Sequence, residues 1–259
     1  MAFQLRDRDA RPSRSIPGDD VLDYRSGALR ERLGALQGAL RAEGKRALLV
    51  VLQGRDTSGK DGTIKNVFES VDPQGCAVTN FGRPSDLELS HDYLWRVHQA
   101  IPPLGLIGIF NRSHYEDVLA VRVHELVPRK EWSRRFRQIN DFERMLSENG
   151  VTTLKFFLHI SRQEQKERLL ARLDDPNKNW KFSEADLGER KLWGQYTRAY
   201  RDALARCSTR WAPWYVIPAD KKPVRDYLVA RVIVQTLRRM APKYPAADPA
   251  LIARARSFA

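Results

Sequence analysis

One stretch limits what this chain can fold into. The apolar run 47–52 leads directly into Gly54-Arg55-Asp56-Thr57-Ser58-Gly59-Lys60-Asp61-Gly62-Thr63, and helix-forming sequence follows. A strand, a G-x4-G-K turn and a helix in that order make a phosphate-binding loop. Glycines let the backbone pass close to a phosphate, and successive N–H groups converge into an anion nest. The helix N-terminus adds partial positive charge, and Lys60 supplies a mobile ammonium for the outer phosphates. The position after the lysine normally carries a Ser or Thr hydroxyl for magnesium. Here it is Asp61, and Thr63 falls two residues late. Asp56, inside the loop, is therefore the expected Mg2+ carboxylate.

Such a loop belongs in a parallel α/β sheet, and the remaining chain alternates accordingly. Strands are expected over 47–52, 76–81, 106–110, 153–160 and 214–218, with helices over 60–70, 89–100, 115–126, 131–149, 183–207 and 224–240. Leu29, Leu33, Leu36 and Leu40 recur at helical spacing before the first strand, with Ser26 as N-cap and Gly44 as stop. Ser161 and Glu164 form a capping box for a further helix. Five strands with helices on both faces give a three-layer α/β/α architecture. The arrangement predicts a flexible arm over 1–25, a single domain over 26–240 and a loose tail over 241–259.

Function classes narrow with composition. Lys and Arg exceed Asp and Glu by 45 to 32, a formal net charge of +13, so a polyanionic partner is expected. Two cysteines, Cys76 and Cys207, exclude a disulfide scaffold and a four-cysteine zinc site. The five histidines show no metal-ligand spacing. No apolar stretch reaches the length of a membrane span and the first 20 residues lack a signal-type core, which predicts a cytoplasmic protein with no membrane partner. Trp180, Trp193, Trp211 and Trp214 are read as packing residues.

Strand C-termini in open α/β sheets line the ligand crevice. The third strand ends in Asn111-Arg112-Ser113-His114-Tyr115-Glu116-Asp117. Where P-loop enzymes place a second metal carboxylate, this chain has the amide Asn111. Arg112 is expected to aim its fork across the phosphate site, while Glu116 and Asp117 also suit a helix start.

Taken together, GRDTSGKDGT, RPSDLELSHDYLWR (83–96), FNRSHYEDVLAVRV (110–123), the later Trp180-Lys181-Phe182-Ser183 and APWYVIPADKK (212–222) resemble the polyphosphate kinase 2 family over about residues 26–240. The resemblance implies a P-loop kinase-like fold of the thymidylate-kinase type. It implies Mg2+-assisted phosphoryl transfer between inorganic polyphosphate and the adenine nucleotides AMP, ADP and ATP. Asp56, Lys60, Asn111 and Arg112 would be catalytic. Gly54, Thr57, Ser58, Gly59, Asp61, Gly62, Thr63, Lys65, Arg83, Glu116 and Arg122 would bind phosphate or nucleotide. The Asn-Arg-Ser-His-Tyr-Glu form is similar to the branch that phosphorylates both AMP and ADP, which makes Glu116 a candidate for acceptor choice. A dimer or tetramer is implied as well.

The capped helix carries Arg162, Lys166, Arg168 and Arg172, and Lys178 and Lys181 follow. The basic segment 161–190 resembles the lid of a nucleotide kinase, with Arg168, Arg172, Lys178 and Lys181 as its phosphate contacts. Two alternatives stand beside this reading: an ATP-dependent nucleoside-monophosphate or small-molecule kinase, and a basic P-loop nucleic-acid-binding ATPase. No nucleic-acid-binding module is recognisable, so no nucleic-acid partner is expected.

Overall fold

The computed structural model describes residues 4–13, 16, 18–182 and 184–258. In chain order its helices are α1 (Asp19–Glu43), α2 (Lys60–Val67), α3 (Asp86–Leu89), α4 (Trp95–Gln99), α5 (Ala120–Val123), α6 (Arg129–Glu148), α7 (Arg162–Asp174), α8 (Glu184–Lys191), α9 (Trp193–Cys207), α10 (Lys222–Met240) and α11 (Pro249–Arg256). The strands are β1 (Ala47–Gly54), β2 (Cys76–Asn80), β3 (Ile107–Asn111), β4 (Val151–His159) and β5 (Trp214–Pro218). All pair in parallel, in the order β2-β3-β1-β4-β5. Among the described residues no helix is long and apolar enough to cross a membrane.

β1 sits in the middle of the sheet and is buried along its whole length, which explains its unbroken apolar run. Because side chains alternate across a strand, the run feeds two cores. Leu48, Val50 and Leu52 meet Leu33, Leu36 and Leu40 of α1 and Val229, Ile233 and Leu237 of α10. Ala47, Leu49 and Val51 meet Phe142 and Leu146 of α6 and Val97 of α4. A third cluster joins Phe136 and Ile139 of α6 to Ala199, Tyr200 and Leu204 of α9, over Tyr115 and Phe157. The two helical layers hold the C-terminal ends of β1 and β3 side by side, where the phosphate loop and the 111–117 segment emerge.

Several boundaries differ from the sequence expectation. α1 begins at Asp19 rather than after Ser26, because Leu22 packs in a small cluster with Val224 and Tyr227 of α10. Part of the expected arm is pinned to the domain: Asp220 N–H donates to Ala10 O (3.1 Å), Arg162 N–H to Asp7 Oδ2 (3.2 Å), and His159 Nε2 lies 2.8 Å from Arg6 O. The expected helix 89–100 is two short pieces, α3 and α4, and the capping box at its start joins Ser85 and Glu88. Only half of the Ser161 box forms. Ser161 Oγ accepts from Glu164 N–H (3.2 Å), but Ser161 N–H donates to Asp220 (2.8 Å) while the Glu164 carboxylate binds Arg168 (2.8 Å). The expected helix over 115–126 is a 3-10 turn, His114–Asp117, followed by α5. The long helix 183–207 breaks at Leu192 into α8 and α9; Ser183 lies outside the described residues. Beyond Pro242 the tail carries α11, all of whose residues are exposed.

Sequence pattern gives no hint of one buried polar cluster. Lys155, on β4 and fully buried, donates to Glu143 Oε2 (2.5 Å), Tyr115 Oη (2.7 Å) and Cys207 O (2.7 Å). Tyr115 Oη also donates to Glu143 Oε1 (2.9 Å), and His114 Nε2 lies 3.2 Å from the same oxygen. Despite burial, Lys155 and His114 hold the Glu143 carboxyl below its ordinary range. The cluster ties the 3-10 turn to β4, α6 and α9, so His114 is a buried anchor. Removing one partner strands the other's charge in the core. Lys155→Met should therefore cost about 3–5 kcal/mol, whereas Lys155→Met with Glu143→Leu should recover most of it. Urea unfolding of both variants checks this, and equal losses would contradict it.

Candidate active site

The phosphate loop folds tightly on itself. Gly59, at the N-cap of α2, has φ +99°, and Thr57 has φ +61°, so the chain reverses before the helix begins. Lys60 is buried beneath the loop, its Nζ donating to Gly54 O (2.9 Å) and reaching Arg55 O (3.5 Å). Burial lowers the pKa of this ammonium, while Asp56, Glu116 and Asp61 oppose the shift. The Thr57 and Ser58 hydroxyl oxygens are buried with no protein partner among the described residues. From below, the fully buried Arg225 of α10 donates through Nη1 to Ser58 O (3.4 Å) and pairs with Asp226 (2.8 Å).

β3 delivers the opposing groups. Asn111 Nδ2 donates to Asp61 Oδ1 (2.8 Å) and Asn80 Oδ1 (2.8 Å), while its own Oδ1 is buried without a partner. Arg112 follows with φ +62°, a left-handed conformation that a non-glycine residue adopts at a cost of about 1–3 kcal/mol. That conformation turns the side chain back over the loop, where Nη2 meets Asp56 Oδ1 at 3.0 Å. Burial opposes the charge on Arg112, yet Glu116 and Asp56 hold its pKa above the ordinary value. Burial pushes the Glu116 carboxyl up, against the pull of Arg112 and Lys60. With the Gln53 amide oriented to accept from Ser113, its nitrogen donates to Glu116 Oε1 (3.1 Å). Next to it, burial pushes Asp117 up to about 6, opposed by Arg135 at 3.0 Å.

A cleft of about 450 Å³ opens over these residues. Gly54, Asp56, Arg83, Arg112 and Glu116 all line it, so the structure brings these expected residues to one place. Trp193, Tyr196 and Tyr200 of α9 give it an aromatic lining as well. Arg55 lies flat on Trp193, with Cζ 3.9 Å from the ring centroid, and donates to Thr197 Oγ1 (2.6 Å). Charged and aromatic groups thus line one cleft, which suits a nucleotide better than a bare phosphate chain.

Other expected residues lie elsewhere. Thr63 turns its hydroxyl to Asp226 (3.1 Å), and Lys65 is exposed along α2. Arg122 faces a second pocket and pairs with Asp202 at 2.8 Å. Arg168, expected in a lid, is committed to carbonyl oxygens: Thr57 at 2.9 Å, Ala219 at 2.7 Å and Asp220 at 2.9 Å. It braces the phosphate loop because α7 packs beside the turn. Neither Arg172 nor Lys178 lines the cleft; Lys178 pairs with Asp175, and the Lys181 side chain lies outside the described residues. Sequence reasoning missed Arg55, Arg225 and the α9 aromatics. The spacing of Trp193, Tyr196 and Tyr200 is the only available signal, and it reads equally well as an ordinary buried helix face.

A divalent cation can be tested against this donor set. Among the described residues no group of three or more His, Cys, Asp or Glu side chains is placed to hold a metal. Mg2+ rarely needs one: it takes one or two carboxylates and completes its shell with water and substrate phosphates. Asp56, Asp61 and the unpartnered Asn111 Oδ1 are hard oxygen donors beside the loop, and they fit that requirement.

Comparison with known proteins adds a separate line of argument. Residues 19–245 match the family model described as Polyphosphate kinase 2. The chain is 54% identical over 222 residues to the AMP/ADP-polyphosphate phosphotransferase of Meiothermus ruber, covering 86% of this chain and 83% of that one. It is 46% identical over 232 residues to the ADP-polyphosphate phosphotransferase of Rhodopseudomonas palustris, covering 85% and 80%. Its fold superimposes on the crystal structure of polyphosphate kinase 2 from Arthrobacter aurescens with a TM-score of 0.94 at 41% identity, over 99% of this chain and 93% of that one.

Proposed function

The chain belongs to the polyphosphate kinase 2 family, and on that footing we propose that it transfers phosphoryl groups between inorganic polyphosphate and adenine nucleotides, converting AMP to ADP and ADP to ATP. The observation that carries this reading is the cleft itself. A phosphate loop with a buried lysine faces a strained arginine across one carboxylate, and aromatic side chains of α9 line the same cleft. Polyphosphate has no base to stack, so the aromatic lining is assigned to the acceptor nucleotide and the basic loop to the polyphosphate end.

Each side chain then has a role that follows from charge. Lys60 and the loop N–H groups neutralise the transferred phosphoryl group as charge shifts onto its oxygens. Arg112, held by Asp56 and Glu116, spans donor and acceptor phosphates, which would otherwise repel each other. Asp56 orients Arg112 and, with Asn111 and Asp61, would hold Mg2+. Bound there, Mg2+ would screen the phosphate negative charge. The Arg168 fork holds Thr57 O and so keeps the nest in shape before substrate arrives. The reading includes a cytoplasmic homo-oligomer, a dimer or tetramer, which light scattering would check.

Incubating AMP or ADP with polyphosphate and following ATP tests the reading directly. ATP formation that requires polyphosphate supports it. Phosphorylation of AMP from ATP alone, with polyphosphate inert, would replace it with an ordinary nucleotide kinase.

Glu116 carries a narrower expectation. A carboxylate beside Arg112 cannot accept a phosphate, but it sets where that guanidinium points, and AMP, one phosphate shorter than ADP, depends more on that placement. Glu116→Asn should lower kcat/KM for AMP more than for ADP with polyphosphate as donor. Equal losses for both acceptors would assign Glu116 to general catalysis or folding.

A further inference from the structure

A second pocket of about 610 Å³ lies beyond the cleft, and the mechanism above does not use it. Arg122, Arg129, Arg198 and Trp132 line it, with Glu125 as the one acidic residue among its described lining. Arg122 is fixed in place: Asp202 holds it at 2.8 Å, and its Cζ lies 4.4 Å from the Trp132 ring centroid. Arg129 and Arg198 are exposed and have no acidic partner among the described residues. Lys130, Arg134 and Arg137 of α6 and Arg201 and Arg206 of α9 are exposed nearby in the chain, Arg137 beside Asp141 at 3.4 Å and Arg201 beside Asp202 at 3.8 Å.

The pocket adjoins the cleft. Leu126 lines both, and Val121 of the cleft wall is the chain neighbour of Arg122. An extended ligand with one end in the cleft would cross this corner and reach the arginines. The chemistry of the pocket selects the ligand class. Three guanidiniums against the single carboxylate of Glu125 among its described lining make the pocket a site for a ligand that carries several negative charges along its length.

We propose that the Arg122–Arg129–Arg198 pocket is an exosite for the distal part of a long polyphosphate chain whose end occupies the cleft. The inference rests on the functional reading given above and adds to it a determinant of chain length. A long chain reaches both sites and gains affinity through counterion release at the second. A short chain fills only the cleft and gains nothing.

The test replaces Arg129 and Arg198 together with alanine, leaving Arg122 and its Asp202 and Trp132 contacts intact. KM and kcat are measured for tripolyphosphate and for long-chain polyphosphate, with ADP as acceptor, over a salt series. Long-chain KM should rise roughly tenfold, and its log–log salt dependence should flatten by about two, one for each lost phosphate contact. Tripolyphosphate KM and kcat should stay unchanged. The Arg129→Lys, Arg198→Lys variant should recover most of the long-chain affinity, because the interaction is carried by charge. Equal increases for both chain lengths would place these arginines in the cleft or the fold and overturn the exosite, as would no increase for either. Loss of single-stranded RNA binding with long-chain KM unchanged would also overturn it, in favour of a nucleic-acid surface. Should the unaltered protein transfer phosphate from neither chain length, the functional reading itself fails and the exosite falls with it.

Discussion

Replacing Lys60 with alanine is expected to lower kcat about a hundred- to a thousandfold, with the fold intact. The magnitude comes from the position of the ammonium. Lys60 Nζ is buried at the base of the loop, bound to Gly54 O at 2.9 Å, and no carboxylate among the described residues pairs with it. A phosphate entering the nest therefore meets a charge that water does not screen and that needs no reorganisation. In phosphoryl transfer the protein contributes mostly this kind of fixed electrostatic complement. KM for the nucleotide should change little, because the proposed reading assigns the nucleotide to the α9 aromatics and Arg112 and not to the loop. Steady-state rates at saturating polyphosphate and Mg2+ check the prediction, alongside a thermal melt. Near-normal turnover would remove Lys60 from the reaction, and a lost melting transition would make its role structural.

Local sequence shows a great deal of the fold and only part of the site. β1 and its loop are legible because an all-buried central strand needs an unbroken apolar run and a phosphate nest needs glycines; both demands act on adjacent residues. The same holds for Asn111 and Arg112, whose place at a strand end follows from the alternation of elements. What escapes is whatever depends on partners distant in the chain. Arg168 reads as a lid cation, yet its fork is taken up by Thr57, Ala219 and Asp220 carbonyls brought to it by tertiary packing. Arg122 reads as part of the phosphate site through its neighbours in sequence, but α5 turns it toward Trp132 and Asp202, where it lines the adjoining pocket. Lys155 sits between Leu154 and Phe156 on β4, and its partners Glu143, Tyr115 and Cys207 come from three other segments. The helix over 115–126 fails for a related reason. Ser113 Oγ accepts from Tyr115 N–H and starts a 3-10 turn, and burial of Tyr115, Val118 and Leu119 outweighs the helical pattern.

The other large effect is expected at Gly59, where Gly59→Ala should destabilise the protein by about 3 kcal/mol or more and remove most of the activity. Two costs add here. The residue has φ +99°, a conformation that side chains other than glycine rarely adopt. A Cβ would also fall 1.8 Å from Arg225 Nη1 and 2.7 Å from its Cζ. That guanidinium has little room to retreat, because it is fully buried, held by Asp226 at 2.8 Å and hydrogen-bonded to Ser58 O at 3.4 Å. The loop must shift instead, and the shift moves the N–H groups of the nest and the start of α2 together. Urea denaturation measures the stability loss, and polyphosphate-dependent ATP formation measures the catalytic one. Gly59→Ala combined with Arg225→Ala separates the two costs. The second change removes the clash but keeps the backbone strain, so Gly59→Ala should cost less stability on an Arg225→Ala background than in the parent, while activity stays low. A single Gly59→Ala variant as stable and active as the parent would show that Arg225 does not hold the loop where the structure places it.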